Sequence, residues 1–216
     1  MTPDEIEALF TRSDGSYLFA RWGRAIAPIV FGVEDETLAV VKGACQAVVA
    51  LAGHEMTDMD AELGSNLMVF FLRDWAELPE VPGLERLVPE LGPLVARLTE
   101  AEANQYRLFR FDQAGAIKAA FVFICMDCEL EKVSADTLVL SQMVQVILLW
   151  SDRAFQDRSA LAKVVGGKVI LRPDIADVIR AAYDPVMPFM AQDPSHALRL
   201  AARLQAGQGA GQGIVN

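Results

Sequence analysis

The stretch Ala135-Asp136-Thr137-Leu138-Val139-Leu140-Ser141-Gln142-Met143-Val144-Gln145-Val146-Ile147-Leu148-Leu149-Trp150 decides how the rest of the chain is read. It is apolar on nearly every side of a helical projection, and such a helix is stable only where other elements wrap it. It falls short of the roughly 20 apolar residues that cross a bilayer, and Ser141, Gln142 and Gln145 interrupt it, so it reads as a core helix. Helical spacing brings those three polar side chains to one face near its middle. Buried amides need partners. Either the stripe satisfies backbone groups of neighbouring loops, or it is the relic of a site.

Working outward, Thr2 or Asp4 can cap a short helix through Phe10, and Arg12 to Ser16 reads as a turn. Ala25 to Val33 is apolar and β-branched enough for a strand. A helix opening at Glu34 to Glu36 then carries Leu38, Val41, Cys45, Val48, Val49 and Ala52 on one face, with Gly53 as its C-cap. Leu67 to Leu72 is a second strand, completing a strand, helix, strand unit. Four prolines between Glu77 and Pro93 break the chain into short turns of helix, forming a wrapped connection or a surface lobe. Leu94 to Asn104 is helical in pattern. Tyr106 to Phe111, the turn Asp112-Gln113-Ala114-Gly115 and the return strand Ile117 to Met126 announce a hairpin. Helices are expected again at Asp174 to Tyr183 and Ser195 to Gln205. Strands first and helices later predict an α+β fold: one domain over residues 1–206, a small mixed sheet with a central buried helix, and a mobile Gly/Gln tail over residues 207–216.

The 216 residues hold 19 Lys+Arg against 29 Asp+Glu, a net charge of -10 that opposes phosphate backbones, and no basic patch overrides it. The acidic start Met1-Thr2-Pro3-Asp4-Glu5 is unlike a secretory signal, and three cysteines suit a reducing compartment. The expectation is a cytoplasmic protein that engages neither nucleic acid nor membrane.

Candidate chemistry is sparse. His54-Glu55 invites a zinc-protease reading, but position 58 is Asp, and Gly53 ends the helix before His54. That leaves His54 as a solvent-exposed loop residue. His196 follows Asp193-Pro194-Ser195 and reads as helix punctuation. Cys125 and Cys128 have the spacing of a redox pair. However, Cys125 continues an apolar strand, and Glu129 and Glu131 would raise thiol pKa values, so both read as structural. Gly166-Gly167-Lys168 lacks the remainder of a phosphate loop.

Leu140-Ser141-Gln142-Met143-Val144-Gln145, followed by Ser151-Asp152, resembles the central helix of an uncharacterised bacterial family of zincin-like domains, usually secreted, which carries a His-Glu-x-x-Gln-like motif. Pro173 to Pro185 looks like that family's closing helix with its Tyr-Asp-Pro ending. Arg21-Trp22, and Asn66 ahead of Val69-Phe70-Phe71, are also similar, and the likeness spans residues 21–204. The resemblance implies a metallopeptidase-like fold, with Ser141, Gln142, Gln145 and Asp152 at its vestigial or binding site. Where the family has His-Glu this chain has Ser141-Gln142, which removes ligand and base together. The expected function is therefore non-catalytic binding or scaffolding of a protein or small-molecule partner, with no catalytic residue, metal or cofactor. The alternative is a thiol-redox or hydrolytic enzyme using Cys125 and Cys128 or the polar stripe. Restoring Ser141→His and Gln142→Glu is expected to bury an unpaired glutamate and destabilise the helix.

Overall fold

In the computed structural model, which describes residues 1–211, the chain opens with α1 (Pro3–Ala8). A reciprocal cap starts it: Thr2 Oγ1 accepts from the Glu5 N–H at 3.2 Å, and the Glu5 carboxylate accepts from the Thr2 N–H at 2.7 Å. The short strand β1 (Phe19–Ala20) precedes β2 (Pro28–Phe31), α2 (Asp35–Leu51) and β3 (Leu67–Leu72). β2 and β3 pair in parallel, so the expected strand, helix, strand unit forms. Gly53 follows α2 in the left-handed conformation, φ +64°, that favours glycine at a helix end.

The proline-rich stretch becomes a 3₁₀ turn (Trp75–Glu80), α3 (Leu84–Leu87) and α4 (Leu91–Glu100). α4 begins before the expected Leu94 because Pro93 falls in its first turn, where an amide hydrogen would have no intrahelical acceptor. β4 (Gln105–Phe111) and β5 (Ile117–Cys125) make the expected antiparallel hairpin. The sheet runs β2-β3-β5-β4, with β3 and β5 parallel, so the fold is α+β around a small mixed sheet.

β5 is interior and buried on both faces, and its side chains divide the core in two. Val122 and Ile124 join the larger cluster with α2 and the later helices, while Phe121 and Phe123 pack under the proline-rich lobe with Trp75, Leu78 and Leu94. The lobe thus covers one face of the sheet.

The remaining elements are a second 3₁₀ turn (Leu130–Lys132), α5 (Ala135–Ile147), a hairpin of β6 (Leu161–Lys163) and β7 (Val169–Leu171), α6 (Pro173–Ala182), β8 (Met190–Ala191) paired with β1, and α7 (Ser195–Gly211). Gly166 and Gly167, both at positive φ, turn the β6–β7 hairpin, which sequence reasoning did not find. α7 runs through Gly207 to Gly211, where a mobile tail was expected, and residues 212–216 lie outside the described residues.

α5 is the central buried helix, with Leu138, Met143, Val144 and Ile147 in the core. It ends at Ile147, not at Trp150. Three aromatic side chains, two of them distant along the chain, take its terminal carbonyls: Trp150 Nε1 donates to Val144 O, Trp22 Nε1 to Val146 O and Tyr183 Oη to Ile147 O, each at 2.8 Å. The chain then leaves in extended form, Leu148 bridging to Arg21 and the Leu149 N–H donating to Ala20 O.

Candidate functional site

The period of a strand puts Gln105, Arg107 and Phe109 of β4 on one face, and pairing with Ile124, Val122 and Ala120 turns that face toward α5. There Gln142, only 1% exposed, is held at both ends of its amide. Arg107 Nη1 donates to Gln142 Oε1 at 2.9 Å, and Gln142 Nε2 donates to Gln105 Oε1 at 2.7 Å. One turn away, Gln145 Nε2 donates to Ser141 Oγ at 3.0 Å. The polar stripe therefore bonds side chains, not the loop backbone that the simpler expectation assigned to it.

Above this network opens a cleft of about 560 Å³. Gln105, Arg107 and Gln145 line it, Trp150 and Phe155 contribute aromatic surface, and Asp152 shares the lining with Asp14 and Arg12. Of the four residues expected from the sequence, Gln145 and Asp152 line the cleft, Ser141 supports Gln145, and Gln142 lies buried behind Arg107. The Asp152 carboxylate accepts from the Ser13 N–H at 3.0 Å, and bonding to Ser13 holds it below the usual carboxylate range.

Arg107, missed in the sequence, is the unusual group. Burial pushes its guanidinium down to about 10, with no charged neighbour opposing the shift, so it stays a cation at neutral pH. Among the described residues, no carboxylate oxygen lies within ion-pairing distance of it, although nine other pairs form. The only signal in the sequence was the alternation of β4, which sets Arg107 on the same face as Phe109.

The other candidates lie apart from the cleft. His54 is half-buried, not solvent-exposed: Nε2 meets Arg24 O at 2.8 Å, and its ring packs 5.1 Å from that of Tyr183. Burial pushes its pKa down. Asp58 is exposed on the loop beyond it. His196 does more than punctuate α7. It is 3% exposed, with Nδ1 2.8 Å from Tyr17 Oη and Nε2 without a partner. Burial lowers it to about 4. Cys125 is half-buried and Cys128 exposed. Burial first, then Asp74, Asp127 and Glu77, push the Cys125 thiol up; Glu129 and Glu131, the acids expected to do this, are not the ones that reach it.

A zinc ion does not fit at the stripe. Both ends of the Gln142 amide are engaged, and a guanidinium 2.9 Å from its oxygen would repel a metal cation. Among the described residues, no three His, Cys, Asp or Glu side chains gather closely enough to hold a metal ion, and no helix is long and apolar enough to cross a membrane. Compared with family models, curated proteins and solved structures, the chain gives no match, so the cleft has to be read from its own chemistry.

Proposed function

We propose that this chain is a binding protein, a zincin-like domain whose β4–α5 cleft holds a small molecule and performs no reaction on it. The observation that carries the reading is Gln142: the position at which the resemblance implies a glutamate base is a neutral amide fixed between Gln105 and Arg107. Such an amide cannot accept a proton at neutral pH. Asp152, the one acid of the expected set, is held below its ordinary pKa and is correspondingly a weak base. What remains is a set of oriented donors and acceptors beside aromatic surface. At about 560 Å³ the cleft falls within the range of small-molecule sites, which favours a small-molecule partner over a protein one.

Elemental analysis after chelator-free purification, combined with incubation against a mixed peptide library read by mass spectrometry, tests this. Less than stoichiometric zinc and an unchanged library are expected. One zinc per chain, or peptide cleavage that Gln142→Ala abolishes, would contradict the reading.

A further inference from the structure

Resting on the cleft being a binding site, we propose that its ligand is a small polar carboxylate, anchored on the guanidinium of Arg107. A guanidinium carries five N–H donors in a planar fork. Among the described residues, only Nη1 of Arg107 has a hydrogen-bond partner, and that partner is neutral Gln142. Among the described residues, the one fully enclosed side-chain nitrogen or oxygen without a partner is His196 Nε2, so the unused donors of Arg107 keep access to the cleft that the residue lines. Gln105 holds Gln142, which holds Arg107, fixing the fork from behind before any ligand arrives. A carboxylate matches such a fork with two parallel hydrogen bonds.

The surrounding charges choose between oxyanions. Asp14 and Asp152 share the lining, and the cleft's other cation, Arg12, already lies in their field. A phosphate dianion would bring a second negative charge toward those carboxylates, whereas a monocarboxylate matches the single charge of Arg107. The exposed lining is more polar than apolar, and the amide of Gln145 with the rim acids suits hydroxyl groups on the body of the ligand, not a long hydrocarbon tail.

The test is calorimetric titration of the full chain with acetate, glycolate and lactate at constant ionic strength, with glycolamide and inorganic phosphate as comparisons. Saturable binding of a hydroxy acid is expected, with no binding of glycolamide. Arg107→Gln should weaken it by about tenfold or more, as expected when a charged fork is lost. Gln142→Glu should weaken it equally while keeping the cation, because a carboxylate at 2.9 Å from Nη1 would occupy the fork from within. Far-UV circular dichroism and a cooperative melt confirm that each variant is folded. Glycolamide binding as well as glycolate, phosphate binding more tightly than every carboxylate, affinity unchanged in Arg107→Gln, or no saturable binding of any probe would each overturn the carboxylate anchor. None of these requires catalysis, so they are distinct from peptide cleavage, which would overturn the binding-protein reading itself.

Discussion

Replacing Arg107 with methionine should make the protein more stable, although it removes a side chain from the centre of a hydrogen-bond network. Burial moves the guanidinium from 12.5 to about 10. At roughly 1.4 kcal/mol per pH unit, its charged form therefore disfavours folding by about 3 kcal/mol at neutral pH. Methionine keeps an unbranched stem in the same space and carries no charge. Against this, Gln142 Oε1 loses its donor while remaining 1% exposed. A desolvated acceptor left alone costs about 1–3 kcal/mol, so the net gain is at most about 2 kcal/mol. Urea unfolding at pH 7 reads this as a higher midpoint at unchanged slope, and thermal unfolding as a rise of about 2–4 °C per kcal/mol for a chain of this length. A group that is kept at the expense of stability fits retention for binding. If Arg107→Met lowers stability by more than about 1 kcal/mol, the guanidinium is a structural group and the reasoning is refuted.

Stability should fall with acid because of His196. Its folded pKa of about 4 lies below the ordinary 6.5, so the unfolded chain binds the proton first. About 3 kcal/mol should be lost as pH drops from 6.5 toward 4, and urea midpoints should show this component missing in His196→Asn. A native His196 imidazole titrating near 6.5 by NMR would contradict it. For the thiols, Cys128 is exposed and not the structural residue the sequence suggests, so quantitative labelling of native protein should find Cys128 labelled first, Cys125 slow and Cys45 inert until unfolding, since burial pushes Cys45 up to about 12. Fast labelling of all three would be inconsistent with that order. Ile147→Ala, at a site 2% exposed, should lower stability by about 2–5 kcal/mol, and a loss under about half a kcal/mol in urea unfolding would mean that α5 is not the core helix.

These expectations rest on unequal parts of the sequence. Leu67 to Leu72 was legible end to end, because an apolar run bounded by polar residues specifies a buried strand locally. The end of α5 was not, because Trp22 and Tyr183, which take its carbonyls, lie 124 and 36 residues away along the chain. The polar stripe was visible as an interruption of an apolar helix, but its partners depend on which face of β4 turns inward. That is set by register with β5. For the same reason Arg107 went unnoticed, since an arginine in an alternating strand carries no local sign of burial. Gln142→Glu shows the consequence: the sequence suggests an unpaired buried glutamate, whereas Arg107 stands ready to pair with it at 2.9 Å. His196 was legible as the start of α7, yet its burial against Tyr17 depends on a contact 179 residues distant.

The most direct test of the cleft as a carboxylate-binding site is the ¹H–¹⁵N spectrum of the arginine side chains, recorded while glycolate is titrated into the native protein. The Nε–H resonance of Arg107, assigned by its loss in Arg107→Gln, should move progressively and saturate, while that of Arg21, buried against Met187 O and Pro188 O, stays still. An Arg107 resonance that does not move, or that moves without saturating and no more than those of the exposed arginines, would contradict the account.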